Sequence, residues 1–525
     1  MLRPGAIIVL AGLTLIASVA AAQNPPSQAS LESAGFGVYQ KACAVCHDGG
    51  DETAPAVDRL QALGRERILR ALAAGGVMAS RASSLSEAER GQVASFLTAT
   101  PQRRTQLATA ARNAAEAERT QQNFDYPIRR ISDPRDRATE VPGAPSWAAP
   151  KLGAGPFEFE SWEHRNLRAV VVTRGLDTPR AIEFLPNGDI LVAERAGKLR
   201  IIKNGVLDPN PVAGMPQVAA LGTATGFMDI IKHPDFARNG LLYLAYHKPA
   251  YGSFGFNVIY RARWNGSALV DGREIFVGDD VDSLYTRMVF GRDGKLYATI
   301  GAPGLGTDAS INRAQLGQDY AGKILRFNDD GTIPDDNPFL RKLGYHPSIY
   351  TLGHRVNLGM TVNPTTGEIW VSEHGPNGGD ELNILKAGGN YGWPVVHNGR
   401  YYGGEKISES GAREGFISPQ IYFLPSIAPG NLIFYTGDKF PAWKGNIIMG
   451  AMRIGEAPRT GHLLRIVVNK DGGHVRSEML MLDLHQRIRD VEQGPDGNIW
   501  FTTDEGEDSV LMRLEPGTVP PGSPR

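Results

Sequence analysis

The chain has 525 residues, 42% of them hydrophobic, with 55 basic and 56 acidic side chains and a formal net charge of -1. Such a length and apolar content predict a globular protein of several domains with sizeable cores, and the near-zero charge gives no ground for a nucleic-acid partner or an anionic membrane surface. Gly 62 and Pro 35 suit many tight turns between short strands better than a helical bundle.

Arg3 precedes an apolar run that ends in Ala20-Ala21-Ala22 ahead of Gln23, the layout of a secretory signal peptide over residues 1–22. An uncleaved anchor is the alternative, but the run is short for a span of about 20 residues. No other segment is long and apolar enough to cross a bilayer. The expectation is a mature chain without a membrane span, secreted across the inner membrane into the periplasm.

Both cysteines lie in "QKACAVCHDGG", where Cys43 and Cys46 are followed at once by His47. This pattern reads as covalent attachment of one haem c, the two thiols adding to the vinyl groups and His47 binding the iron. A disulfide beside an incidental histidine is the alternative. Met78, in a Gly/Ser/Ala-rich loop, is the candidate second iron ligand, and His/Met ligation raises the potential as an electron acceptor needs. Helices are predicted over Leu31 to Ala42, Arg65 to Ala73 and Ser86 to Leu97, with Ser84-x-x-Glu87 and Ser86 as cap signals. Residues 30–100 thus resemble a small all-α cytochrome c domain.

Residues 101–160, rich in Pro, Gly and charge, read as a linker. Beyond them a turn followed by an alternating strand recurs six times: "LPNGDILVAER", "HPDFARNGLLYLAYH", "GRDGKLYATIG", "NPTTGEIWVSEHG", "FPAWKGNIIMGAM" and "GPDGNIWFTTDEG". Six such repeats over residues 165–516 favour a six-bladed β-propeller over a pair of sandwiches. The expected fold class is mainly β, a propeller preceded by the small helical domain.

Four loops stand out chemically. "SEHGPNGGDELN" joins Gly-rich backbone carbonyls to the adjacent carboxylates Asp380 and Glu381, which suits a hard cation such as Ca²⁺. "GHRVN", "GAMR" and "HQRIRD" each set arginine beside a predicted strand, and the guanidinium fork matches carboxylates bidentately. Together they could hold a small polyanion, although any one arginine alone reads better as a solvated or ion-paired side chain.

These loops, with "GFMDIIKHPDFARNG", "YAGKILRFNDDGTIPDDNPF", "GGNYGWP" and "QRIRDVEQGPDGNIWFTTDE", resemble the soluble pyrroloquinoline quinone (PQQ) dependent glucose and aldose sugar dehydrogenases. The resemblance implies that Arg355, Arg453, Arg487 and Arg489 surround the carboxylates of PQQ and that Tyr402 lines its pocket. It implies that the carbonyls of Gly375 and Pro376 face a calcium ion shared with PQQ. Glu381 and the backbone of Tyr391 would hold a second calcium. A small-molecule sugar or alcohol would be oxidised, with the fused haem as first acceptor and a downstream periplasmic acceptor after it.

The sequence departs from that family where the substrate would sit. Ser283, four residues before Arg287, stands where the family has its histidine base, and a neutral serine cannot replace an imidazole. Ala224 stands for a glutamine, Val356 for the asparagine after the arginine (Asn357 follows one step on), and Arg453 for a lysine. Asp282 and His485 are the candidate replacement bases. Three readings follow: a diverged PQQ-dependent dehydrogenase, a non-catalytic electron-transfer or ligand-binding haem protein, and a Ca²⁺-dependent hydrolase.

Overall fold

The computed structural model describes residues 28–43, 59–60, 62–79, 82–100, 103–104, 106–107, 149–220, 225–249, 255–278, 286–302, 311–401 and 404–517. The chain divides into two compact units, Met1–Leu107 and Ala108–Arg525. No helix among the described residues is long and apolar enough to cross a membrane, and the signal-peptide expectation lies outside them.

The first unit contains helices α1 Gln28–Ala42, α2 Arg65–Leu72 and α3 Glu87–Thr98. Phe36 and Tyr39 of α1 pack on Phe96 of α3, with ring centroids 5.3 and 5.1 Å apart. The helices can approach because Gly35 has no side chain: a Cβ there would lie 1.9 Å from the Gln92 carbonyl oxygen. The cap of α3 is Ser86 with Glu89 rather than Ser84 with Glu87; Ser86 Oγ accepts from the Glu89 N–H, and Glu89 Oε2 accepts from the Ser86 N–H at 2.8 Å. Gly35→Ala should force the helices apart, cost this unit about 1–3 kcal/mol, and speed amide hydrogen exchange across α1 and α3. Unchanged exchange would contradict the packing.

The described strands of the second unit form six sheets. After β1 Phe157–Phe159 and β2 Leu167–Leu176, the first blade comprises β3 Pro179–Phe184, β4 Ile190–Glu194, β5 Lys198–Lys203 and β6 Val206–Leu207. The second comprises β7 Phe227–Lys232, β8 Leu241–Lys248, β9 Phe256–Trp264 and β10 Leu269–Val277, and the third β11 Met288–Phe290, β12 Leu296–Ile300, β13 Lys323–Phe327 and β14 Ile349–Leu352. The fourth has β15 Val356–Val362, β16 Ile369–His374, β17 Asp380–Ile384 and β18 Ile421–Phe423, and the fifth β19 Pro429–Phe434, β20 Ile447–Ala451, β21 His462–Val468 and β22 His474–Leu480. In the sixth, β23 Ile488–Gln493, β24 Ile499–Thr503 and β25 Ser509–Pro516 are joined by β2 and then β1, so strands from both ends of the unit close the ring.

The first strand of each blade lines the axis: β3 packs on β7, β7 on β11, β11 on β15, β15 on β19, β19 on β23, and β23 back on β3. Every sequence repeat is the turn and second strand of such an inner pair. That strand is apolar on both faces because a neighbouring blade lies on each side; β4, β12, β20 and β24 are buried throughout. Apolar clusters fill the wedges between blades, one joining Leu191 and Leu244, another Trp370 and Met449, another Trp443 and Phe501.

Part of the expected linker belongs to this unit. β1 lies within it and pairs with β2; just beyond it, Glu163 accepts from Arg465 Nη2 at 2.5 Å, and His164 lies edge-on to Trp443 at 5.2 Å. The inner strands β3, β7, β15, β19 and β23 each carry a register shift near their start. Bulges of this kind re-aim side chains and carbonyls, here at one end of the axis.

Candidate functional site

Arg180 and Arg489 occupy the shifted positions of β3 and β23, in the first and sixth blades. Both reach Asp504, which follows β24. Arg489 makes Nε and Nη2 contacts of 3.0 and 2.5 Å to Asp504 Oδ2, Arg180 Nη1 lies 3.4 Å from the same oxygen, and Arg487 Nη2 lies 3.5 Å from it. Arg487 and Arg489 meet the one carboxylate because side chains two apart on an extended chain share a face. The Asp504 carboxyl is held far below its ordinary value of 3.8: burial opposes ionisation, but Arg489, Arg180 and Arg487 outweigh it.

Arg355 enters from the fourth blade through a turn in which Gly353 has φ +81°; a Cβ there would meet Asn390 Oδ1 at 2.2 Å. Its N–H donates to Glu373, its carbonyl accepts from Ala302 N–H at 2.5 Å, Nη1 donates to the His374 carbonyl at 3.0 Å, and its guanidinium lies 5.3 Å over the Trp393 ring. Arg453, from the fifth blade, lies 3.5 Å from Glu456 and is more exposed.

These elements converge on His374, at the end of β16. Its Nε2–H donates to the Pro429 carbonyl at 2.7 Å. Burial above all, with the charges of Arg489, Arg355 and Arg453, pushes its imidazole down to about 3, the Pro429 bond notwithstanding. Three of the four sequence-predicted arginines, from three blades, thus act on one ring, and the fourth shares Asp504 with Arg489. The surplus of positive charge suits a small polyanion.

Along the axis, Arg287 ties the blades together. It donates to Asp229 Oδ1 at 2.9 Å, Asp490 Oδ1 at 2.6 Å, the Arg180 carbonyl at 3.1 Å and the Leu358 carbonyl at 2.9 Å. Those partners belong to the second, sixth, first and fourth blades.

The expected calcium loop is corrected in one respect. Asp380 and Glu381 do not act together, because successive residues of a strand face opposite ways. Asp380 is saturated: it accepts from Gly375 N–H, Ser426 Oγ–H, Ile427 N–H and Ala428 N–H at 2.7–2.8 Å, and so pins the loop that carries Gly375 and Pro376. Glu381 instead pairs across strands with Glu373. Burial and then the charge of Glu373 push Glu381 well above the usual carboxylate range. Glu373 stays below its ordinary value because His354, at 2.9 Å, and the Arg355 N–H overcome its burial. His354 in turn stacks on Tyr391 with centroids 4.5 Å apart. Asn357 Oδ1 and Asn383 Oδ1 are buried without a hydrogen bond among the described residues. A buried carboxylate pair beside such oxygens fits a hard cation.

Asn357 does not stand in for an asparagine at position 356. Its Nδ2 donates to Glu373 at 3.1 Å, whereas Val356 is buried with Leu358 and Met452. His485 is exposed, with Nδ1 2.8 Å from the Arg459 carbonyl. Cys43 is buried at the end of α1, and Met78 is half-buried, its N–H donating to the Ala71 carbonyl at 2.9 Å. Cys46, His47, Ala224, Asp282, Ser283 and Tyr402 lie outside the described residues. Sequence reasoning missed Arg180, Asp504, Glu373 and His374; the alternation of Arg487 and Arg489, with an acid just after the following strand, was the available signal.

The family described as Glucose / Sorbosone dehydrogenase matches residues 176–513, and Cytochrome C oxidase, cbb3-type, subunit III matches residues 31–97. Aldose sugar dehydrogenase YliI of Escherichia coli (strain K12) is 36% identical over 348 residues, 64% of this chain and 90% of that protein. An uncharacterized protein of Synechocystis, slr1608, is 36% identical over 368 residues, 66% of this chain and 86% of that protein. The crystal structure of the soluble aldose sugar dehydrogenase of Escherichia coli in its apo-form aligns with a TM-score of 0.61 at 32% identity, over 67% of this chain and 100% of that one. With the six-sheet ring, these matches make the chain a member of the glucose/sorbosone dehydrogenase family: an aldose sugar dehydrogenase-like propeller preceded by a cbb3-type cytochrome c domain.

Proposed function

We propose that the protein is an exported, periplasmic PQQ-dependent dehydrogenase of a sugar or related alcohol that passes its electrons to its own haem c. The placing of Arg487 and Arg489 on Asp504 and of Arg355 on the His374 carbonyl, with the charge of Arg453 also acting on that imidazole, is the observation that carries this reading. These arginines would bind and orient the carboxylates of PQQ, with Tyr402 along its pocket. The pinned loop would turn the carbonyls of Gly375 and Pro376 toward calcium. In the first unit Cys43 and Cys46 would carry the haem, with His47 and Met78 on the iron. Bound PQQ supplies a hydride acceptor that no side chain can provide.

Asp282 and His485 are the candidate proton acceptors. His485 donates Nδ1–H to the Arg459 carbonyl, which leaves Nε2 as its basic atom. Turnover by Asp282→Asn and His485→Gln variants separates the two; loss of a general base costs about 10²- to 10⁴-fold. The reading that the propeller binds its ligand without turning over sugar is favoured by Ser283 at the family's base position and by the apolar surroundings of Val356. Equilibrium titration of the protein with PQQ in the presence of Ca²⁺ tests the proposal first, and absence of saturable binding would overturn it.

Glu381 and the Tyr391 backbone would hold a second calcium ion. Chelation should then lower the unfolding free energy, by about 2.7 kcal/mol where free Ca²⁺ had exceeded its Kd about 100-fold. Glu381→Gln should remove this site's share of the difference. A wild-type melt indifferent to chelator would remove this site.

A further inference from the structure

We propose that Asp504 is a positioning residue of the anion site, gathering Arg180, Arg487 and Arg489 into one clasp; the inference rests on the PQQ reading above. Oδ2 of Asp504 lies within 3.5 Å of guanidinium nitrogens of all three arginines. Arg180 and Arg489 are almost fully buried, at 4% and 5% side-chain exposure, so water does not screen their mutual repulsion. One carboxylate in their midst offsets that repulsion and fixes the fork of Arg489 through two hydrogen bonds. The backbone reinforces the arrangement: Asp504 N–H donates to the Arg487 carbonyl at 2.9 Å, and Arg487 N–H donates to Glu505 Oε1 at 2.9 Å. Arg180 is itself anchored, because its carbonyl accepts from Arg287 at 3.1 Å. The clasp keeps a net positive charge on the side of the site where Arg489 acts on His374 beside Arg355 and Arg453.

Charge counting and positioning predict opposite signs for Asp504→Asn. Removing a negative charge from an anion site should tighten polyanion binding, whereas releasing the clasp should weaken it. The experiment is titration of the full-length, haem-loaded protein with PQQ and Ca²⁺, using wild type, Asp504→Asn, Arg180→Met and the Asp504→Asn/Arg180→Met double variant. Asp504→Asn should bind PQQ on the order of 100-fold more weakly, with a changed absorbance of the bound quinone. Removing Arg180 as well relieves the repulsion and should recover about tenfold of that loss. Should Asp504→Asn fail to fold, the double variant supplies the test: binding about tenfold weaker than wild type supports the clasp, and wild-type affinity overturns it. Equal or tighter binding by Asp504→Asn, or purely additive losses in the double variant, overturns the proposal. Failure of the wild type itself to bind PQQ would overturn the functional reading on which it rests.

Discussion

Replacing Arg287 by methionine is expected to destabilise the propeller unit by about 3–5 kcal/mol, the range for removing one partner of a buried charge network. The guanidinium holds two buried carboxylates, Asp229 and Asp490, and two main-chain carbonyls, from four other blades. Methionine fills similar volume but leaves both aspartates uncompensated. Burial, more than the charge of Asp490, already pushes Asp229 up to about 6 despite Arg287. Without the arginine this value rises further, so the folded state binds a proton that the unfolded chain releases. For a carboxyl with a raised folded value, stability falls as pH climbs through that window. The loss should therefore be larger at pH 8 than at pH 6, as read by guanidinium unfolding followed by tryptophan fluorescence. A loss below about 1 kcal/mol, ordinary for a surface change, would contradict the axial role.

Arg355→Met is expected to have the largest effect on the site, weakening PQQ binding by about 100-fold or more. Arg355 is the fourth blade's cation there, set between the His374 carbonyl and the Trp393 ring. Its loss cannot be made good by Arg453, which is more exposed and lies 3.5 Å from Glu456. Lysine should rescue only part of the affinity, since an ammonium lacks the planar fork that bonds a carboxylate bidentately and lies flat on an indole. Binding by Arg355→Met within threefold of wild type would remove Arg355 from the site.

The blades were legible because each inner hairpin repeats the same local problem: a turn, then a strand buried on both faces. Ser86 likewise announced the start of α3. What escaped were features created by closing the ring. Arg180 and Asp504 are 324 residues apart, and their blades meet only once the ring closes, with β2 paired to β25 and β3 packed on β23. β1 escaped because its stretch is rich in Pro and Gly and its pairing partner fixes it. Asp380 and Glu381 looked like one acidic unit until strand pairing turned them to opposite sides, one saturated by backbone N–H groups and the other facing Glu373. The four arginines stood out in loops chosen on their chemistry and took their role from the resemblance, whereas Arg180, which shares a carboxylate with two of them, required coordinates.

The most direct measurement is the absorbance spectrum of the oxidised, haem-loaded protein, with PQQ and Ca²⁺, as aldoses and alcohols are added one at a time. Reduced-haem bands that appear only with PQQ and one substrate class are the expected result, and they would name the substrate. PQQ bound at saturation with the haem still oxidised throughout the panel would contradict the dehydrogenase reading and leave the propeller as a binding domain.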